Sequence, residues 1–307
     1  MTTQAPQRVA GQAAKPSRIA VWVLAARTRT LPLSLSPVLV GAAIAATGPN
    51  PVHWVPVLVA ALASALIQIG ANLYNDAADS RRGADGAARV GPPRVTALGL
   101  IDGERVAAAA FACFGAAALA GLYLVLVGGW PILALGLASL VCGWGYSGGP
   151  APIAYTPYGE VFVLLFFGIF AVTGTSWLAA QTVGAASLLA GAALGLFAAA
   201  VLLVNNHRDR VEDTRAGRRT LAILIGAERA RWLYAALILT PFLLLWPIAL
   251  ALPGQRVWPA LTALPFALIV IARLWREPPG RGLNAVLALT AQVQSVYALL
   301  LAVGLFA

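Results

Sequence analysis

Two clusters of acidic and amide side chains interrupt an otherwise apolar chain, and their spacing suits divalent cations. The first is Asn72-Leu73-Tyr74-Asn75-Asp76-Ala77-Ala78-Asp79, with polar groups at i, i+3, i+4 and i+7. On a helix, Asn72, Asn75, Asp76 and Asp79 share one face. Two carboxylates and two carboxamides on such a stripe offer hard oxygen donors of the kind Mg2+ prefers, and leave coordination positions for water and substrate phosphate. The second cluster is Asn205-Asn206-His207-Arg208-Asp209-Arg210-Val211-Glu212-Asp213, with Asp209 and Asp213 four apart and the two asparagines one turn earlier. Each cluster follows an apolar run long enough to cross a bilayer, where an unneutralised carboxylate costs about 3 kcal/mol or more. Aspartate pairs around a Mg2+-bridged diphosphate make a site for ionising an allylic diphosphate, because the metal neutralises charge developing on the leaving group. A membrane setting suits a long isoprenoid tail.

The elements that position these clusters follow from composition. Of 307 residues, 60% are hydrophobic and 10% charged, and the mean hydropathy is +0.81. No soluble core hides that much apolar surface, so the chain reads as an all-α polytopic membrane protein. Apolar runs of about 16 to 25 residues predict about nine transmembrane helices around a cytoplasm-facing polar cavity. They cover roughly 19–46, 55–75, 106–126, 131–146, 161–178, 184–205, 232–250, 257–272 and 283–305. Residues 1–18, rich in Ala, Gln and Pro, read as a disordered cytoplasmic tail, and 19–307 as a single transmembrane domain. The connections after the second and sixth helices are long and charged, and both clusters open onto them. Such placement is expected of an internal repeat whose halves face each other across a polar cavity.

Charge sets the orientation. The predicted topology gathers the basic residues on one side, among them Arg18, Arg27, the Arg81 to Arg105 group, the Arg208 to Arg231 group, Arg273, Arg276 and Arg281, and leaves only Arg256 on the other. The positive-inside rule makes the crowded side cytoplasmic, at the cell inner (plasma) membrane. All 11 Asp and Glu residues fall there too. The net charge of +10 is therefore local to one face and implies no nucleic-acid partner. Cys113 and Cys142 stand singly in apolar runs, as small core residues do. No Gly-rich phosphate loop, nucleophilic Ser or Cys constellation, or dinucleotide fingerprint is present, in keeping with metal-driven chemistry. A cation-coupled secondary transporter is the rival from another class, but it calls for carboxylates at the bilayer midplane on broken helices. These lie at helix ends on one side.

In order along the chain, from about Trp22 to the end, these motifs resemble the intramembrane aromatic prenyltransferases of the UbiA superfamily. The likeness rests on Asn75-Asp76-x-x-Asp79 and Asp209-x-x-x-Asp213, with Ala26-Arg27-Thr28-Arg29-Thr30-Leu31-Pro32 before them. It extends through Arg82-Gly83-Ala84-Asp85 to Arg89-Val90-Gly91-Pro92-Pro93-Arg94, through Tyr146-Ser147-Gly148-Gly149-Pro150 and Gly159-Glu160, and to Gly217-Arg218-Arg219-Thr220-Leu221. It is greatest for the branch that prenylates 1,4-dihydroxy-2-naphthoate in menaquinone biosynthesis.

The resemblance implies that Asn72, Asp76 and Asp79 hold one Mg2+ and that Asp209 and Asp213 hold the other. Many members carry a further Asp where Gly83 stands here, and Asp85 is the nearest acid that could serve as a ligand. Asn75 and Asn206 belong to the substrate-binding set. Arg82, Arg94 and Arg208 lie beside the acid stripes and are placed to clamp diphosphate oxygens bidentately. Of Arg27 and Arg29, two apart and so on different faces, one faces the cavity, and Arg29 is assigned to it. Tyr146 and Tyr155 flank the loop after the fourth helix, where an aromatic face can stabilise an allylic cation. His207 reads as a loop histidine without a metal partner. The implied reaction joins polyprenyl diphosphate to the naphthoate with loss of CO2 and diphosphate. Neighbouring branches take 4-hydroxybenzoate, a chlorin or haem, and differ in that same loop.

Overall fold

The structure, a computed structural model, describes residues 17–83 and 90–307. Asp85, Arg89 and the first sixteen residues lie outside the described residues. The first expected span, 19–46, is broken in two. Helix α1 (Arg18–Ala26) ends at Arg27 in a left-handed conformation (φ 51°), a 3-10 turn covers Thr28–Thr30, and α2 (Pro32–Ala46) leaves at a bend of 49°. The cause is Pro32. Its ring lacks an N–H and would clash with the carbonyl four residues back, so the chain restarts with proline in the first helical turn.

Helix α3 (Trp54–Arg81) has 28 residues. A bilayer core of about 30 Å takes about 20 residues, so a span starting at Trp54 leaves it near Leu73. The remaining turns carry the first acid stripe, on the same helix but beyond the apolar layer. Helix α4 (Gly103–Gly128) starts at Asp102, whose side chain accepts the Glu104 N–H at 2.8 Å. Next come α5 (Trp130–Gly145), a 3-10 turn at Ile153–Tyr155, and one continuous rod made of α6 (Gly159–Leu164), a π turn (Leu165–Ile169) and α7 (Phe170–Ala180). Helices α8 (Ala185–Arg208), α9 (Arg210–Arg215), α10 (Leu221–Ala251), α11 (Leu264–Arg276) and α12 (Leu283–Phe306) complete the chain.

Among the described residues there is no strand. Among the described residues seven helices are long and apolar enough to cross a membrane, or eight if the bent α1–α2 pair counts as one span. The expected fourth span corresponds to α5, an apolar helix of only 16 residues. That is about 24 Å at 1.5 Å per residue, less than the hydrocarbon thickness.

Helix α8 is the central pillar: 72% of its apolar stretch is buried in protein, against 22% for α4. Its Phe197 meets the rings of Phe242 (α10) and Tyr297 (α12) edge-on at 5.9 and 5.2 Å. The buried hydroxyls nearby are satisfied, Tyr297 donating to the Pro241 carbonyl (2.9 Å) and Tyr234 pairing with Thr290 (2.7 Å). On another face α8 touches the π turn backbone to backbone. A Cβ on Gly168 would sit 2.4 Å from the Gly195 Cα and the Gly191 carbonyl oxygen, so the crossing needs glycines, as close helix contacts in membranes do.

Candidate active site

The last turns of α3 present the first stripe to the segment 90–96, which folds back over it. Asp76 and Asp79 are only 3% and 2% exposed. Asp76 accepts the Val95 N–H at 3.1 Å and the Thr96 hydroxyl. Arg94 enters beside them: it donates to the Asn75 side-chain oxygen at 2.8 Å and to its carbonyl at 3.3 Å, and pairs with Asp79. Asn72 turns instead toward the broken first span, donating to the Ala26 carbonyl (3.2 Å) and to Thr30 (3.5 Å). Gln68, one turn earlier, donates to the Thr30 carbonyl at 2.7 Å. The break at Arg27 therefore supplies acceptors for the polar face of α3.

The second cluster begins inside α8 and ends in α9. Arg208 is buried and grips both Asp209 oxygens at 2.6 Å through Nε and Nη2; Nη2 also donates to Asn205 (2.8 Å) and Nη1 to Asn284 on α12 (2.6 Å). Asn206 donates to Glu160 at 2.9 Å, and both are buried. Glu212 accepts the Val90 N–H at 3.2 Å and Asn284 donates to the Val90 carbonyl at 3.1 Å, so the segment after α3 is tied to α9 and α12 as well.

Arg218 joins the two clusters. One of its nitrogens donates to both Asp79 oxygens at 2.9 Å, and another lies 3.2 Å from Asp213. Its guanidinium also stacks 4.9 Å from the Tyr155 ring centre, with Arg82 on the same ring at 5.2 Å. Burial works against the charge on Arg218, but the Asp79 and Asp213 carboxylates outweigh it and raise its pKa. Asp213 has the opposite problem. Burial, reinforced by Asp209, Asp79 and Glu212 and opposed by Arg218, pushes its carboxyl up to about 6. Tyr146 ends α5, and burial, with Glu160 next in effect, raises its hydroxyl pKa. Its carbonyl accepts the Ala154 N–H at 2.9 Å, tying it to the turn that carries Tyr155.

Of the residues singled out in the sequence, Asp79, Asn75, Arg94, Asp213 and Tyr155 are linked through Arg94 and Arg218, Asp76 is held beside them by the Val95 N–H and the Thr96 hydroxyl, and Asn206, Arg208 and Asp209 follow one another at the end of α8. Arg29 is exposed on the turn after α1. His207 is no loop residue. Helix α8 runs on to Arg208, three residues past the expected end, and buries it to 2% exposure. Arg218, Glu160 and Asn284 are polar groups of the site that the spacing argument did not select. Arg218 had a signal, since it lies in a basic loop five residues beyond Asp213. Asn284 had none.

Among the described residues no three carboxylate, imidazole or thiol groups converge on one point. A cation caged by protein alone does not fit this donor set. A Mg2+ held by one or two carboxylates, with phosphate oxygens and water completing its octahedron, does.

Beyond the acid stripe, α3, α4, α5 and the α6–α7 rod line a half-open apolar pocket of about 240 Å³, with Ser64, Ile67, Leu124, Leu140, Phe166 and Phe170 among its walls. Ile67 is nine residues before Asp76, so the cavity approaches to about 14 Å along the helix axis from the polar end.

The UbiA prenyltransferase family model matches residues 34–289. The chain is 38% identical to a 1,4-dihydroxy-2-naphthoate octaprenyltransferase of Mycobacterium tuberculosis, covering 92% of this chain and 96% of that one. It is 30% identical to the Bacillus subtilis protein of the same name, covering 93% and 91%. Among solved structures, a UbiA homologue from Archaeoglobus fulgidus bound to DMAPP and Mg2+ superposes with a TM-score of 0.68 at 17% identity, covering 91% and 97%. An apo UbiA homologue from Aeropyrum pernix gives 0.70 at 18%, covering 89% and 97%. At those identities the structures establish a shared fold.

Proposed function

The chain belongs to the UbiA prenyltransferase family, and on that footing we infer that it transfers a polyprenyl group from polyprenyl diphosphate to 1,4-dihydroxy-2-naphthoate. CO2 and diphosphate are released, and the product is a demethylmenaquinol, the hydroquinone form of a demethylmenaquinone. The names of its relatives support the acceptor. The observation that carries the site is Arg218, which bonds Asp79 and Asp213 together although they lie on α3 and α9. Two aspartate stripes so joined can address one diphosphate from both sides.

In this reading Asp76, Asp79, Asp209 and Asp213 hold Mg2+ with the diphosphate, with Asn72 and Asp85 as further oxygen donors. The metal, when bound, neutralises the charge that develops on the departing diphosphate. Arg94, Arg208 and Arg82 orient diphosphate oxygens, and Asn75 and Asn206 fix the neighbouring side chains. Tyr146 and Tyr155 present ring faces toward the allylic carbon, and the hydroxyl of Tyr146 stays protonated. The apolar cavity receives the tail and keeps water from the reacting carbon. The site faces the cytoplasm at the inner membrane, where the crowd of arginines attracts an anionic acceptor.

Product mass tests the acceptor. Purified protein given a polyprenyl diphosphate and both aromatic acids should consume the naphthoate with stoichiometric CO2. A prenylated 4-hydroxybenzoate that retains its carboxylate, with the naphthoate untouched, moves the chain to the neighbouring branch.

A further inference from the structure

On the premise of the polyprenyl diphosphate donor inferred above, we propose that Phe162, Phe166 and Phe170 form an aromatic track. It carries the isoprenoid tail from the reaction site into the apolar pocket and favours unsaturated tails over saturated ones. The three rings follow one another along the α6–α7 rod, Phe162 and Phe166 parallel with centres 6.3 Å apart, and Phe166 and Phe170 edge to face at 5.3 Å. Four residues of α-helix overshoot a full turn by about 40°, so a plain helix would carry the row round its axis. The π turn at Leu165–Ile169 winds more slowly and takes back part of that drift. The row starts two residues after Glu160, which bonds Asn206 in the site at 2.9 Å. Its other two members line the half-open pocket, and Phe170 also borders a second apolar pocket of about 500 Å³ between α5, α7 and the start of α8. From Phe162 to Phe170 is about 12 Å along the axis, so the row bridges the polar end and the pockets.

Exposure separates these rings from ordinary core aromatics. All three are half-buried, whereas their neighbour Phe167 packs against Leu33, Val201 and Ala291 on another face of the rod. An isoprene unit places four carbons in the chain and extends to about 5 Å. That repeat is close to the ring spacing, so successive units meet successive rings. Each double bond holds its substituents in a plane, and a flat alkene makes more contact with a ring face than a puckered saturated chain does. Rigidity acts in the same direction, because a saturated tail has more rotamers to lose when held along the row. Aromatic faces therefore read the unsaturation of the tail as well as its length.

Equilibrium binding without an acceptor tests this, using geranylgeranyl diphosphate and phytyl diphosphate, which match in carbon number while phytyl keeps only the allylic double bond. The full chain in detergent with Mg2+ should bind geranylgeranyl diphosphate about fivefold more tightly. Phe166→Leu, apolar but without a ring, should bring the two dissociation constants within about twofold of each other. Phe167→Leu, the same change one residue off the row, should keep the preference. Should Phe166→Leu not fold, Phe162→Leu at the polar end of the row carries the same expectation. Equal binding of both tails by the unaltered protein, an intact preference in Phe166→Leu, or equal losses in the Phe166 and Phe167 variants overturns the track. Failure of the donor assignment looks different: the unaltered protein then retains neither diphosphate, and the track falls with it.

Discussion

The acid stripe on α3 and the one spanning α8 and α9 are alike in composition and opposite in how their charge is balanced. On α3, Asp76 is held by a backbone N–H and a hydroxyl, and Asp79 by two arginines. On α9, Asp213 has one arginine contact at 3.2 Å, and three neighbouring carboxylates help push its carboxyl up to about 6. The first stripe is fixed in place by donors the protein itself supplies. The second is balanced at Asp209, which Arg208 grips by both oxygens, and only weakly at Asp213, so added positive charge gains most at Asp213. A repeated motif thus divides into a rigid half and a charge-hungry half.

Removing ligands from either half is the severest way to break this contrast. Asp76→Ala and Asp209→Ala should each lower turnover by about 10³-fold, as EDTA should, with the variants still folded by circular dichroism. If both halves serve one diphosphate, the double variant should be little worse than either single one in single-turnover assays, because residues acting as a unit are non-additive. Fully additive losses would separate the halves. Next in size is the link itself: Arg218→Ala should cost about 10- to 100-fold in kcat/KM, and Arg218→Lys should recover little, since a point charge cannot serve two carboxylates as a fork does. A fully active lysine variant would reduce Arg218 to a source of charge.

A smaller effect belongs to the apolar side. Ser64→Phe narrows the cavity and should cost about tenfold in kcat/KM with long polyprenyl diphosphates, while geranyl diphosphate stays within about twofold, the scale on which pockets discriminate by size. Equal losses for both would place the tail elsewhere. The smallest change is at Tyr155. Losing the ring in Tyr155→Leu removes a stacking partner of Arg218 and Arg82, about 1 kcal/mol or fivefold in kcat/KM, whereas Tyr155→Phe should lose less.

Both stripes were legible because helical spacing alone puts i, i+3, i+4 and i+7 on one face, and that periodicity is local. Pro32 is legible too, yet the apolar run continues across it without interruption and so masks the break it forces. Helix α8 runs three residues past its apolar stretch, and the polarity of Asn206, His207 and Arg208 hides that continuation. They stay helical because Glu160 and Asn284 reach in from other segments to satisfy two of them. Asn284 lies 76 residues from Arg208, and no local pattern announces such a partner. The short α5 was counted as a full span because hydropathy reports how apolar a run is more readily than how far it reaches.

The glycine crossing between the π turn and α8 turns the central helix into a lever. Gly195 lies ten residues from the Ala185 end of α8, about 15 Å, and Asn206 lies about 31 Å from that end. With the Ala185 end held, a displacement of 1 Å at the crossing becomes about 2 Å at Asn206 and the aspartates beyond it. Misplacement by 1 Å at a reacting centre can cost about 100-fold. A single methyl group on Gly195, which would meet the Leu164 carbonyl at 2.3 Å, therefore acts on the chemistry through distance alone. The tolerance of this protein to mutation should be narrowest at a residue that touches neither substrate nor metal.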